Sequence, residues 1–152
     1  MSHELLLVED NQHKKDRIIE FINSLNLRIN ITIASSFSSG AQAIEQAAFD
    51  VVLLDLSLPT YDKSEVEPGG RFRTFGGREI ARKILRKNIE TKIIFITQYE
   101  SFSDKGKSYT FENLKNELKK ESLENYVDMI HFNSAKSTWK DQLGKSLKEI
   151  LI

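Results

Sequence analysis

Asp50-Val51-Val52-Leu53-Leu54-Asp55-Leu56-Ser57-Leu58-Pro59 is the stretch on which the fold turns. Residues 51–54 are a continuous apolar run of strand length, rich in β-branched side chains and without polar alternation. Such a run predicts a strand covered on both faces, the habit of a parallel sheet. On its amino-terminal side, Ser38 can cap a small helix carrying Ala41, Ile44 and Ala48. Before that helix, Ile29, Ile31 and Ile33 alternate with Asn30 and Thr32, the period-two pattern of a strand with one solvated face, suited to a sheet edge. Residues 5–8 form another short apolar run. Asp10-Asn11 supplies cap-forming side chains after it, and Ile18, Phe21, Ile22 and Leu25 then recur at helical spacing.

On the carboxyl-terminal side, Ile80, Ile84 and Leu85 mark a third helix and residues 93–96 a fourth strand. Phe111, Leu114 and Leu118 mark a helix after Thr110, residues 126–132 a fifth strand, and Trp139, Leu143, Leu147 and Ile150 stripe a final helix behind a serine or threonine cap. Five strands alternating with five helices predict an α/β fold. It is a doubly wound five-stranded parallel sheet with helices on both faces, in the flavodoxin-like (βα)5 order 2-1-3-4-5. The 152 residues suit a single domain over 1–152, with no output domain. Two connections are long, residues 60–77 between the third strand and third helix, and residues 98–109. Loops of that length are functional or disordered.

Composition narrows the function classes. Hydrophobic residues at 39% and charged residues at 29% describe a soluble protein whose longest apolar runs are only strand-length, so no membrane span is expected. The start, Met1-Ser2-His3-Glu4, lacks the basic region and apolar core of a secretory signal, and a cytoplasmic location is expected. With no cysteine there is neither a disulfide framework nor a thiolate metal site. A formal net charge of zero removes the global attraction on which nucleic-acid binders rely, so no nucleic-acid partner is expected. Arg71, Arg73, Arg78, Arg82, Lys83, Arg86 and Lys87 crowd one region and are read as a solvated helix face. His3, His13 and His131 are too scattered for a zinc site.

In a sheet of this topology, function collects beyond the carboxyl ends of the strands. The first strand ends in Glu9-Asp10, the third in Asp55 and the fourth in Thr97, so three carboxylates and a hydroxyl would meet. Crowded carboxylates repel unless a cation neutralises them, and hard divalent cations prefer oxygen ligands. A Mg2+ site follows.

At these residues the chain resembles the receiver domain of bacterial response regulators. The resemblance runs through Leu6-Leu7-Val8-Glu9-Asp10-Asn11, the stretch 50–59, and Ile94-Phe95-Ile96-Thr97. It implies that Asp55 is the phosphoacceptor, that Asp10, Asp55 and the Ser57 backbone carbonyl bind Mg2+, with Glu9 acting largely through water, and that Thr97 hydrogen-bonds the phosphoryl group. It further implies a phosphoacceptor signalling protein rather than an enzyme, a stand-alone receiver of a two-component phosphorelay. A histidine kinase or phosphotransfer protein would stand upstream and an unidentified protein downstream.

Three features depart from the family pattern. The family's lysine and proline directly after the fifth strand are replaced by His131-Phe132-Asn133-Ser134-Ala135-Lys136-Ser137. Counting back from the last helix puts Lys136 at the lysine position; counting forward from the strand puts Asn133 there. Gln98 stands where the family keeps a small residue, and the segment 60–77 is longer than usual. The alternative these departures raise is a receiver-like interaction module that works without phosphorylation. Glycine-rich phosphate binding is excluded, since no Gly-Lys-Ser or Gly-Lys-Thr ends the 60–77 run, and Ser101 replaces the first glycine that Gly106-Lys107-Ser108 would need. A haloacid-dehalogenase-type phosphatase would want a second aspartate where Ser57 stands.

Overall fold

The computed structural model describes residues 2–63 and 69–152. In chain order the elements are β1 (His3–Val8), α1 (Gln12–Ser24), β2 (Ile29–Ala34), α2 (Phe37–Gln46), β3 (Val51–Leu54), β4 (Leu58–Pro59), β5 (Phe72–Arg73) and α3 (Gly76–Arg86). They continue with β6 (Lys92–Thr97), β7 (Ser101–Asp104), β8 (Lys107–Thr110), α4 (Phe111–Glu121), β9 (Tyr126–His131) and α5 (Thr138–Leu151). The principal sheet runs β2-β1-β3-β6-β9 with every pair parallel, which is the expected 2-1-3-4-5 order of a flavodoxin-like fold.

Period-two pleating divides the core. Leu6, Val8, Val52, Leu54 and Phe95 face Ile44 of α2, Ile80 and Ile84 of α3, and Leu114 and Leu118 of α4. Leu5, Leu7, Val51, Leu53 and Ile94 face Ile18 and Ile22 of α1 and Trp139, Leu143 and Leu147 of α5. Each fully buried Leu or Ile contributes about 1.5–3 kcal/mol relative to exposure, so the unbroken run 51–54 is required by cover on both sides. β2 lies at the edge with Asn30 and Thr32 exposed as expected, but Ile33 is exposed too, so the alternation holds only as far as Thr32.

Three local expectations are corrected. Ser36, not Ser38, caps α2: its hydroxyl accepts from the Ser39 N–H and the Ser39 hydroxyl returns to the Ser36 N–H, a reciprocal box that starts the helix two residues earlier. Ala48 lies beyond the helix, exposed. The 98–109 connection is not a plain loop, because β7 and β8 pair antiparallel across a turn at Lys105 (φ 50°) and Gly106 (φ 79°). Positive φ at both central residues is the geometry of a tight hairpin turn, and glycine takes one of them without strain. The 60–77 connection ends earlier than expected, since Gly76 and Gly77 already belong to α3. Its two ends pair as β4 with β5. The central residues 64–68 of this segment lie outside the described residues.

The basic cluster ties helices together. Arg78 and Arg82 both bind Glu121 of α4, at 2.9 and 2.7 Å, while Lys83 and Lys87 bind Glu45 of α2, at 2.9 and 3.1 Å. Burial alone would raise the Glu121 carboxyl, but the hydrogen bonds from Arg82 and Arg78 outweigh it and hold it at about 2. A carboxyl depressed on folding stabilises above its unfolded pKa, and that stabilisation disappears as pH falls through the folded value. Glu121→Gln is therefore expected to lower Tm at pH 7, with the deficit closing as the pH falls from about 4.5 toward 2; a deficit unchanged from pH 7 to pH 3 would contradict this. At Gly77 a Cβ would sit 2.0 Å from the Asp55 carbonyl oxygen. Gly77→Ala is expected to destabilise by about 1–3 kcal/mol, seen as a Tm several degrees lower in thermal unfolding.

Candidate functional site

Val8 of β1 lies opposite Leu54 of β3, and the Asp55 N–H donates to the Val8 carbonyl at 3.1 Å. Glu9 and Asp55, the next residues, thus leave the sheet side by side. Both are buried, at 1% and 6% exposure.

Between them stands Lys14. Asn11 caps α1 by accepting the Lys14 N–H at 2.9 Å, which sets this lysine in the first helical turn. Its Nζ lies 2.5 Å from Glu9 Oε1 and 3.5 Å from Asp55 Oδ1, and donates to the Ile96 carbonyl at 2.7 Å. The side chain is 1% exposed. A cation in the first turn opposes the helix dipole, and burial strips its water. It is held there because the carboxylates and the carbonyl replace that water. The Glu9 contact is an ion pair rather than an aligned hydrogen bond, and Glu9 Oε2 accepts from the Asn11 N–H at 3.0 Å.

Asp55 is the perturbed member. Burial raises its carboxyl well above the ordinary range; Lys14 pulls it down and neighbouring Glu9 pushes it up again. Its Oδ1 is buried without a hydrogen-bond partner, since 3.5 Å to Lys14 is too long for one. Asp10 pairs with Lys63, its Oδ2 3.1 Å from the Lys63 Nζ. The expected convergence of three carboxylates is therefore realised for two: among the described residues no three acidic or histidine side chains gather closely enough to form a metal cluster. Mg2+, however, usually takes only one or two carboxylates and keeps several waters. The orphaned Asp55 Oδ1 and the half-buried carboxylate of Asp10, next to Glu9 in the chain, are oxygen donors of the kind such an ion takes.

Ser57 is buried, its hydroxyl donating to the Thr74 carbonyl at 3.1 Å. Thr97 is fully buried at the end of β6, its hydroxyl accepting from the Tyr99 N–H at 3.3 Å. Lys136 is exposed in the β9–α5 connection and forms no ion pair among the described residues, while Asn133 accepts from the Ala135 N–H at 2.9 Å. Among the described residues neither of them pairs with Asp55, whereas Lys14 approaches it at 3.5 Å. The signal was present. Position 14 precedes the buried Ile18 by four residues and Ile22 by eight, so a lysine lies in line with the apolar stripe of α1.

An open cleft of about 540 Å³ adjoins this site, lined by Lys14, Gln98, Tyr99, His131 and Asn133 among others. Gln98 is exposed on its rim. A larger cavity, about 890 Å³, opens at the opposite end of the sheet by His3, Asp50 and Asn125, away from the Asp55 chemistry.

The chain is similar to known proteins. The chain is 28% identical over 137 residues to the uncharacterized protein y4jR of Sinorhizobium fredii, covering 89% of this chain and 90% of that one. It is 27% identical over 152 residues to the Detocs response regulatory protein DtcB of Enterobacter cloacae, covering 95% and 99%. The fold matches the receiver domain of sensor histidine kinase PA1611 from Pseudomonas aeruginosa, solved with a magnesium ion in its active-site cleft. The TM-score is 0.59 at 20% identity, with 99% of this chain and 98% of that one covered. Residues 5–131 match the response regulator receiver domain, and the chain belongs to that family.

Proposed function

We propose that Asp55 accepts a phosphoryl group from a histidine kinase or phosphotransfer protein and that the domain passes the signal to a downstream protein by conformational change. The observation that carries this reading is the buried Asp55 Oδ1, which has no hydrogen-bond partner and lies beside a buried ammonium at the carboxyl end of the sheet. A carboxylate oxygen so placed is free to act as a nucleophile. It attacks the phosphorus of a phosphohistidine; the P–N bond breaks, its electron pair stays on the imidazole nitrogen, which takes up a proton, and an acyl phosphate remains on Asp55.

Asp10, Asp55 and the Ser57 carbonyl would hold Mg2+, with Glu9 acting through water. The ion supplies charge compensation for the phosphoryl oxygens. Thr97 would donate to a phosphoryl oxygen; its hydroxyl accepts the Tyr99 N–H and keeps its own proton to give. The relative named as a Detocs response regulatory protein supports a regulatory role of this kind. Among the described residues no helix is long and apolar enough to cross a membrane.

A second reading, an interaction module independent of phosphate, draws on Lys14: its ammonium already neutralises charge between Glu9 and Asp55 without metal or phosphate. Acetyl phosphate and Mg2+ separate the two readings. The phosphoacceptor is expected to gain one phosphoryl unit in intact mass, and Asp55→Asn to gain none. No gain, together with no binding of beryllofluoride, would leave the interaction module standing.

A further inference from the structure

We propose that Lys14 is the phosphoryl-binding cation of this domain, acting from the first turn of α1 in place of a lysine on the β9–α5 connection; the proposal rests on Asp55 being the phosphoacceptor. An ammonium carries three donors. For Lys14 one hydrogen bond goes to the Ile96 carbonyl and the shortest ion-pair contact to Glu9. The remaining direction faces Asp55 Oδ1 at 3.5 Å, too far for a hydrogen bond with the bare carboxylate. A phosphoryl group on Asp55 extends beyond the carboxylate and brings new anionic oxygens to the ammonium.

The anchor on Ile96 matters as well, because the next residue is Thr97. Cation and hydroxyl are thereby held at the same strand end. The face of the Phe132 ring, 6.0 Å from Nζ, flanks the ammonium on the β9 side, where a lysine from that connection would have to enter. Lys136 itself is exposed, its N–H bonded to the Asn133 carbonyl at 3.0 Å. A merely structural Lys14 would join α1 to the sheet through Glu9 and have no effect on a ligand at Asp55.

Beryllofluoride with Mg2+ mimics the phosphoryl group, and its binding can be followed by emission of the single tryptophan, Trp139, whose ring lies 4.9 Å from that of Phe132. Removing Lys14 alone would strand Glu9 as a buried charge, so the comparison is Glu9→Gln against Glu9→Gln with Lys14→Met, each checked by thermal unfolding. The double variant is expected to bind about ten- to a hundred-fold more weakly than Glu9→Gln, as loss of a charged hydrogen bond implies, while Lys136→Ala binds as the parent does. In the unmutated protein, the side-chain ammonium resonance of Lys14 is expected to shift on addition of beryllofluoride and that of Lys136 to stay. Equal affinities for the single and double variants, a tenfold loss at Lys136→Ala, or an unmoved Lys14 resonance in a protein that does bind would overturn the inference. A parent protein that binds no beryllofluoride overturns the phosphoacceptor reading itself and this inference with it.

Discussion

The register of β1 against β3 is the constraint from which the rest follows. Once Val8 pairs with Leu54, Glu9 and Asp55 must emerge adjacent at the end of a sheet that is buried on both faces. Two carboxylates that close, out of water, cannot both stay ionised without a cation between them. Slipping the register by one residue would relieve the repulsion, but it would turn Leu5, Leu7, Val51 and Leu53 away from α1 and α5. The apolar pattern thus forces the acids together, and the acids in turn require positive charge. Lys14 meets that requirement in the protein as it folds.

Two features keep this arrangement narrow. The Asn11 cap fixes the first turn of α1, while Ile18 and Ile22 hold the rest of the helix against the sheet, so Lys14 can point only beneath its own helix start. On the other side, the Gly77 N–H donates to the Leu56 carbonyl at 3.0 Å, and the α3 backbone approaches Asp55 so closely that no Cβ fits. Asp55 is therefore held between a helix start on each side of the sheet. Both approaches depend on packing over distances that a local pattern does not express.

That distinction explains what the sequence made legible. The buried strand 51–54, the edge strand 29–34, the Thr110 cap and the stripe of the last helix are signals carried by neighbouring residues, and each has its counterpart in the structure, although Ile33 of the edge strand is exposed. Ser36 and Ser38 are equivalent cap residues by type; only the position of Ser39 three residues after Ser36 decides between them. The β7–β8 hairpin was missed because Lys105-Gly106 is a weak form of its turn and only Phe102 of its strands is buried. The placement of Asp55 was legible through the resemblance, but the cation was sought where the family keeps it. Lys14 was passed over because a lysine in line with an apolar stripe is ordinarily a stem lying along the surface with its charge in water.

The hairpin gives the site a mechanical neighbour. Thr97 ends β6, and its hydroxyl is bonded to the N–H of Tyr99, two residues before β7 begins. Tyr99 lies with Phe102 at 6.4 Å between ring centroids, Phe102 with Phe75 at 6.1 Å, and Phe75 with Tyr109 of β8 at 5.3 Å. Phe75 immediately precedes α3, the helix whose start touches Asp55. An aromatic cluster of this kind joins the β7–β8 hairpin to both the Thr97 side and the Asp55 side of the site. A hydroxyl accepts and donates at once, so Thr97 can keep the Tyr99 N–H while its own proton is given elsewhere. The hairpin, with Tyr99 half exposed at its base, is thus packed between the two sides of the site.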